Sequence, residues 1–225
     1  MIQIEQLYLE KKNQRIITNI NLQIQSGEFI FFIGESGAGK SSLLDLLYGR
    51  KMYHEGSLKI NGQELASLSL EELQKYRSQV GVIFQDNRLI EEWTVFDNLA
   101  YEMTCRGLST PVIREKISAW TDLLGLKDRL KHYPNQLSGG EQQRVNIIRA
   151  LIIDPKLVIA DEPTANLDEK NARKVFSILK QINQTGTTVL MSTHNPNFIE
   201  AANFRVVKFS KGEIVYDQIS TNYFR

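Results

Sequence analysis

Glycines, serines and a lysine stand close together in the stretch IGESGAGKSSLL, residues 33–44, between two apolar segments. Their spacing fits the pattern G-x-x-x-x-G-K-[ST], in which glycines allow backbone N–H groups to point towards an anion. In this pattern the lysine reaches the β- and γ-phosphates of a nucleotide, and the next hydroxyl binds Mg²⁺. We therefore predict a phosphate-binding loop composed of Gly34, Glu35, Ser36, Gly37, Ala38, Gly39, Lys40, Ser41 and Ser42.

Two carboxylates, Asp161 and Glu162, end the apolar run in LVIADEP. Side chains at the carboxyl end of a buried strand lie at the edge where α/β sheets bind ligands. We predict that Asp161 holds Mg²⁺ through water and that Glu162 positions or deprotonates an attacking water. An Asp-Glu pair alone is typical of an ordinary loop start, and it is the phosphate loop that favours the chemical interpretation.

The stretch NQLSGGEQQRV combines a helix cap with two glycines. Ser138 and Glu141 are three residues apart, which is the spacing of a capping box. Gly139 and Gly140 in the first turn each cost about 1 kcal/mol relative to alanine, so capping does not explain them. A hydroxyl, two glycines and a helix N-terminus form a second anion-binding site. Because one nucleotide needs only one phosphate loop, we predict that this site serves a nucleotide held by another copy.

Strands alternate with helices over most of the chain, which predicts an α/β fold with a mainly parallel sheet. The segment before the phosphate loop alternates as two antiparallel strands joined by the polar turn LEKKNQR, and Asn61-Gly62 predicts a further hairpin. Residues 86–150 are mostly helical in pattern. We expect one domain over residues 1–225, with a helical subdomain at roughly 86–150.

The composition excludes several classes of protein. A net charge of +1 gives no indication of nucleic-acid binding. The single cysteine, Cys105, excludes an internal disulfide and is expected to be a partly buried apolar residue. His54 and His132 match no motif and are expected at the surface. The apolar runs are too short to span a bilayer, so any work at a membrane needs a separate membrane partner.

With these motifs together, the chain resembles the nucleotide-binding subunit of an ABC transporter over nearly all of its length. The run LSGGE, residues 137–141, is similar to the signature of that family. The resemblance implies an ATPase that uses ATP and Mg²⁺ and acts on an integral membrane permease. It also implies a head-to-tail homodimer in which each ATP lies between one phosphate loop and the signature of the other subunit.

The resemblance gives roles to three isolated residues. Gln85 corresponds to the glutamine that contacts Mg²⁺ and water and senses the membrane partner. Asp168 belongs to a loop that crosses the dimer interface, and His194 corresponds to the histidine that contacts the γ-phosphate. Each has an ordinary alternative: a turn residue, a helix cap and a surface histidine, respectively. The implied metal ligands are Ser41, Gln85 and Asp161.

Tyr8 either stacks on adenine, as an aromatic residue at the end of the first strand often does in the family, or is a core residue. The stretch FQDNRLIEEWTVFDNLAYE is similar to the cell-division branch of the family, which implies a cytoplasmic location on the inner face of the plasma membrane. Lipoprotein-release and macrolide-efflux ATPases of the same subgroup remain the alternative, and Ala165 in PTANLD stands where this whole subgroup, the cell-division branch included, usually has glycine. Trp93 and Phe96 belong either to a groove for the membrane partner or to the core.

Two other classes of function are weighed against a membrane-coupled ATPase. Soluble ABC-type ATPases of nucleic-acid metabolism usually carry long coiled-coil or zinc-binding insertions or a second cassette, which this sequence lacks. A scaffold that binds ATP without hydrolysing it is disfavoured because every catalytic position of the family is filled.

Overall fold

The computed structural model describes residues 1–50, 53, 55–200 and 203–219, and within these ranges it contains two β-sheets. A four-stranded antiparallel sheet has the order β2-β1-β4-β5, and a six-stranded sheet has the order β10-β9-β3-β8-β7-β6. The strands are β1 Ile2–Lys11, β2 Gln14–Ile24, β3 Phe29–Ile33, β4 Glu55–Ile60, β5 Gln63–Glu64, β6 Val80–Ile83, β7 Leu157–Asp161, β8 Thr188–Ser192, β9 Arg205–Ser210 and β10 Glu213–Ile219.

The larger sheet is parallel except at one edge, which confirms the predicted α/β class. β3 pairs in parallel with β8 and β9, and β7 pairs in parallel with β8 and β6, while β10 is antiparallel to β9. Every residue of β3 and β8 is buried, because helices or the second sheet cover both faces of a parallel sheet. Consequently the carboxyl ends of β3, β7 and β8 meet at the same edge, beside the phosphate loop, Asp161 and Ser192.

Helices alternate with strands along much of the chain, as the sequence pattern predicts. The α-helices are α1 Lys40–Leu47, α2 Leu70–Arg77, α3 Val95–Cys105, α4 Thr110–Leu124, α5 Gly139–Leu151, α6 Glu169–Gln184 and α7 Pro196–Glu200. Short 3₁₀ turns lie at Leu65–Ser67, Lys127–Arg129 and Pro134–Gln136. α3 packs against α4 and α5, which forms the helical region expected between residues 86 and 150. No helix of the described residues is long and apolar enough to cross a bilayer.

The hydrophobic core has two parts, one on each face of the larger sheet. Phe31 points into the part formed with α3 to α7, and the adjacent Phe32 points into the part formed with α1 and the antiparallel sheet. Both side chains are fully buried, and burial of such a side chain contributes about 1.5–3 kcal/mol. The sheet that carries the site is therefore fixed from both sides.

The first hairpin corrects one prediction from the sequence. β1 continues to Lys11 and β2 begins at Gln14, so the polar turn predicted over residues 9–15 is wrong. Only Lys12 and Asn13 form the turn, with φ angles of 51° and 60°. Two consecutive left-handed residues are typical of the tight turn that matches strand twist. The charged residues before and after them lie on an exposed strand surface, where polarity does not distinguish strand from turn.

Candidate functional site

The loop between β3 and α1 depends on glycine at two positions. Gly34 and Gly39 have φ angles of 137° and 104°, which other residues rarely adopt. A Cβ atom at Gly34 would lie 2.2 Å from the carbonyl oxygen of Phe209, and one at Gly39 would lie 2.9 Å from that of Ile16. The predicted loop thus has a conformation that requires these two glycines, with β9 and β2 packed directly behind it.

Lys40 is the first residue of α1, and its side chain folds back onto the loop. Its ammonium group donates to the carbonyl oxygens of Gly34, at 2.6 Å, and Glu35, at 2.8 Å. Burial lowers the pKa of Lys40, and the carboxylates of Glu162 and Asp161 act in the opposite direction. The positive charge of Lys40 is therefore held at the loop, where it interacts electrostatically with the carboxylates of Glu162 and Asp161.

Asp161 and Glu162 are fixed by a serine that sequence reasoning missed. The hydroxyl of Ser192 donates to Asp161 Oδ1 at 2.6 Å, and it accepts from the backbone N–H of Glu162 at 2.8 Å. Ser192 ends β8 directly opposite Asp161 in the parallel register. The only signal in the sequence was its place at the end of an apolar strand, two residues before His194.

The structure brings Glu162 and His194 together. Nε2 of His194 lies 2.9 Å from Oε1 of Glu162, with the imidazole side chain 49% exposed and the carboxylate side chain 25% exposed. Glu162 has a φ of 47°, and a left-handed backbone at a residue other than glycine is uncommon. A carboxylate held at this distance can accept a proton from water, and the imidazole can keep the carboxylate oriented towards the solvent side of the edge.

Three predicted metal ligands line one cleft. Ser41, Gln85 and Asp161 border a space of about 440 Å³. A hydroxyl, an amide and a carboxylate supply the hard oxygen donors that Mg²⁺ prefers, so these residues fit that ion. Gln85 lies two residues beyond the end of β6 and is exposed.

The predicted capping box at the start of α5 is present. Ser138 accepts from the Glu141 backbone N–H, and the Glu141 carboxylate accepts from the Ser138 backbone N–H at 2.9 Å. Arg129 Nε donates to Glu141 Oε1 at 2.7 Å. This hydrogen bond, followed by those from Ser138, lowers the pKa of Glu141 from 4.5 to about 2. The start of α5 is thus held by a charged network.

Gly139 and Gly140 leave the first turn of α5 without side chains. A Cβ atom at Gly139 would meet open space, whereas one at Gly140 would approach the carbonyl oxygen of Asn166 at 3.4 Å. The neighbour of this turn is therefore the segment leading to Asp168. Lys40, in contrast, contacts its own loop. The hydrogen bonds described for Lys40 and those described for the start of α5 share no residue.

Asp168 caps α6, as its ordinary alternative predicted. Its Oδ1 accepts from the backbone N–H of Asn171 at 2.9 Å, and this bond is the main reason that the pKa of Asp168 is lowered. The capping role leaves the predicted dimer-interface role open, because Asp168 is exposed.

Tyr8 lies inside β1, opposite Glu55 of β4, and is half-buried. The guanidinium carbon of Arg15 lies 5.6 Å from the centre of its ring, so one face of the ring is already in a cation–π contact. Ile16, rather than Tyr8, lies directly beside Gly39 of the phosphate loop. Stacking of Tyr8 on adenine stays a prediction.

Two further side chains that sequence reasoning missed hold the segment after Gln85. Asn146 of α5 donates to the carbonyl oxygen of Phe84 at 2.8 Å. Arg149, one turn later, donates to the carbonyl oxygens of Arg88, at 2.6 Å, and Asn87, at 2.7 Å. Burial lowers the pKa of Arg149. The helix that begins with the predicted signature therefore also fixes the segment that carries Gln85.

Three minor predictions need correction or restriction. Cys105 is exposed, because it lies on the solvent side near the end of α3, and is not the partly buried residue expected. His132 is half-buried, and its Nδ1 atom is buried without a hydrogen-bond partner, so it is not a simple surface residue. His54 lies outside the described residues.

The lowered pKa of Glu141 predicts a pH-dependent contribution to stability. Because its folded-state pKa is below its unfolded value, the stabilisation is complete above about pH 4.5 and is lost as pH falls towards 2. Glu141→Gln is expected to lower the Tm at pH 7, and the difference from wild type should narrow below pH 4.5. Glu169→Gln, which removes an exposed ion pair with Arg173, is the control and should change the Tm little. A difference that is independent of pH would contradict the assignment.

Comparison with known proteins supports the family resemblance that the sequence motifs indicate. The family model described as ABC transporter matches residues 17–165. The chain is 38% identical to the cell division ATP-binding protein FtsE of Bacillus subtilis (strain 168), an alignment that covers 99% of this chain and 98% of that protein. It is 39% identical to FtsE of Escherichia coli (strain K12), with coverage of 89% and 90%, respectively.

Solved structures of similar fold are ATP-binding cassettes. The bacterial ABC transporter cassette MJ0796, solved as a dimer, aligns with a TM-score of 0.92 at 31% identity, over 98% of this chain and 99% of that chain. A dimer of MJ0796 in a post-hydrolysis state, bound to ADP and Pi, aligns with a TM-score of 0.91 at 30% identity and the same coverage. From its motifs, its fold and these relatives, the chain belongs to the ABC transporter family, as an ATP-binding subunit with the ABC ATPase fold.

Proposed function

We propose that this ABC ATPase works as FtsE does, by hydrolysing ATP in a head-to-tail dimer to move a membrane partner during bacterial cell division. The observation that carries the proposal is the Glu162–His194 pair, held at 2.9 Å on the sheet edge beside the Lys40 loop. A carboxylate that faces a phosphate-binding loop is the arrangement that in-line hydrolysis requires.

Each residue of the edge has a task in this proposal. The loop N–H groups and Lys40 bind the β- and γ-phosphates and stabilise the charge that develops on them. Glu162 accepts the proton of the attacking water, and His194 keeps water and phosphate in line. Ser41, Gln85 and Asp161 would hold Mg²⁺, which neutralises phosphate charge when bound. Tyr8 is the proposed contact for the adenine ring.

The proposed dimer rests on the presence of two phosphate-binding motifs in one chain. A Cβ atom at Gly139, in the turn of Ser138, Gly139, Gly140 and Glu141, would meet open space, and Lys40 donates to Gly34 and Glu35 rather than to this turn. We propose that it closes over the nucleotide of a second copy, with Asp168 near the junction. The dimeric structures of MJ0796 support this arrangement. ATP binding would assemble the dimer, and hydrolysis would release it.

A groove beside β6 is the proposed docking site for the membrane partner. It encloses about 370 Å³ between α2, α3 and α5. Its lining includes apolar side chains and Tyr101, which is 52% exposed. The groove is lined by Tyr48, Gln74, Arg77, Ser78, Val80, Val82, Phe84, Arg88, Asn98, Tyr101, Glu102, Arg149, Ala150 and Ile153.

Trp93 and Phe96, the two aromatic residues that the sequence offered for a partner groove, have different contacts. Phe96 packs against the core, as one alternative predicted, while Trp93 contacts Tyr101 with ring centres 5.1 Å apart. Trp93 therefore lies beside a residue that lines the groove. An amphipathic helix of the partner can place apolar residues against the apolar part of this lining. The expected partner is an FtsX-like permease. This partner would place the chain in the cytoplasm, on the inner face of the plasma membrane. Together the two proteins would control cell-wall hydrolases.

The test of the proposed role uses Glu162→Gln with ATP in membranes of the native host, followed by cross-linking and mass spectrometry. Recovery of an FtsX-like permease is the expected result. Recovery of a lipoprotein-release or macrolide-efflux permease would keep the ATPase mechanism and overturn the role in division.

The groove gives a separate prediction. Tyr101→Ala is expected to reduce recovery of the permease by about tenfold, because loss of an aromatic contact that anchors an interface costs roughly 1.4 kcal/mol or more. Tyr133→Ala removes a similarly exposed tyrosine away from the groove and serves as the control, with recovery like that of wild type. Equal recovery for both variants would show that the partner docks elsewhere.

A further inference from the structure

We infer that Ser192 is a positioning residue for ATP hydrolysis, because one hydroxyl group fixes both the Asp161 side chain and the Glu162 backbone. The inference rests on the proposed roles of Asp161 and Glu162 and goes beyond them, since it makes the two carboxylates a single unit. Ser192 itself lies behind them at the end of β8 and is fully buried.

The direction of both hydrogen bonds is unambiguous. An ionised carboxylate only accepts and a backbone N–H only donates, so the Ser192 proton must point at Asp161 Oδ1 and a lone pair must face Glu162 N. The distances are 2.6 Å and 2.8 Å. Because β7 and β8 are paired in register at this point, Ser192 lies directly opposite Asp161. The serine therefore uses its single proton and one lone pair on two adjacent residues.

The bond to Asp161 sets the orientation of its carboxylate. Oδ1 is tied to the serine, and the same side chain borders the cleft with Ser41 and Gln85. A hydrogen bond to one oxygen fixes the rotation of the carboxylate and leaves Oδ2 outside that bond. Outer contacts of this kind orient metal-binding side chains, and their loss typically costs about 10- to 100-fold in metal affinity or activity.

The bond to Glu162 acts on a strained backbone. Glu162 has a φ of 47°, and a left-handed φ at a residue other than glycine persists only where the surroundings hold it. The Ser192 oxygen accepts a hydrogen bond from the N–H of Glu162 and so stabilises the backbone at the bend where the chain leaves β7. The same bend directs the Glu162 side chain to His194. Without the hydroxyl, we expect the residue to relax and the carboxylate to move from its place beside the imidazole.

The experiment compares Ser192→Ala with wild type and with a control on the same strand. Ser192→Ala is expected to lower kcat for ATP, measured at saturating Mg²⁺, by about 10- to 100-fold. Thr188→Val is the matched control, because the Thr188 hydroxyl at the other end of β8 is also buried and accepts from the backbone N–H of Gly27. It should lower the Tm comparably and leave kcat within about twofold. Ser192→Thr keeps the hydroxyl and should restore most of kcat.

A binding measurement separates this inference from the proposed function. Titration with ATP in EDTA and with ATP plus Mg²⁺ gives the factor by which the ion strengthens binding. Ser192→Ala should reduce that factor, whereas Thr188→Val should not. This comparison holds even if the wild-type chain shows no hydrolysis, a result that would instead defeat the proposed function.

The inference would be overturned if Ser192→Ala kept both kcat and the Mg²⁺ factor at wild-type values. It would equally be overturned if Thr188→Val lowered both quantities as much, since the serine would then contribute only to folding. Should Ser192→Ala fail to fold, Ser192→Cys replaces it, with a similar volume and a much weaker hydrogen bond. The inference is then overturned by either of the same two results, with Ser192→Cys in place of Ser192→Ala.

Discussion

Replacing Glu162 by glutamine is expected to lower kcat for ATP hydrolysis by about 10²- to 10⁴-fold, the usual contribution of a positioned base. Glutamine has nearly the same shape and can keep a contact with His194, but its amide cannot accept the proton of the attacking water. Since the phosphate loop and Lys40 are untouched, ATP binding should be retained. The loss should therefore be in kcat and not in affinity.

The same variant is expected to accumulate as a dimer with ATP, because hydrolysis is what would release the two copies. Gel filtration with ATP, compared with ADP, measures this directly. Glu200→Gln, a change at an exposed carboxylate on α7, is the control and should behave as wild type. Normal hydrolysis by Glu162→Gln would show that another group is the base.

Replacement of Lys40 by alanine is expected to abolish ATP hydrolysis, with a loss on the order of 10²- to 10³-fold or more. Lys40 places a positive charge against two loop carbonyls, and it is the cation that would compensate the charge developing on the γ-phosphate. The removal of this charge should also weaken ATP binding, because the loop then has only backbone dipoles for the phosphates. Both effects can be measured on the purified chain.

The control for this variant is Lys174→Ala, since Lys174 is exposed on α6. Hydrolysis by wild type that is lost in Lys40→Ala and kept in Lys174→Ala would exclude a scaffold that only binds ATP. Hydrolysis that survives in Lys40→Ala would contradict the assignment of the loop. Salt-sensitive DNA binding with DNA-stimulated hydrolysis would instead favour the nucleic-acid class of ATPase.

The predictable features of the chain were those written in local patterns. The phosphate loop needs glycine at fixed spacing, and the structure gives Gly34 and Gly39 the backbone angles that only glycine adopts readily. The Ser138–Glu141 cap involves residues three apart, so its spacing alone predicts it. The parallel sheet follows from alternating strands and helices. Each of these depends on neighbours in sequence.

The features that were missed depend on contacts between distant segments. Ser192 meets Asp161 and Glu162 across 31 and 30 positions in the sequence, respectively, through the register of two strands. Asn146 and Arg149 reach a loop about 60 positions away. The local sequence pattern of one segment does not specify which residue of the other segment it contacts. Register is set by the packing of the whole sheet, and it becomes visible only once the strands are placed.

Helix α5 is held at its two ends by different parts of the molecule. Its 13 residues, Gly139–Leu151, span about 20 Å at 1.5 Å per residue. Asn146 and Arg149 attach its second half to the segment that lines the proposed docking groove, and its first turn carries the glycines. A tilt of about 10° about the second half would move that turn by about 3 Å, the length of one hydrogen bond. In the proposed function, a small displacement at the groove would therefore make or break a contact with phosphate at the other end of the helix.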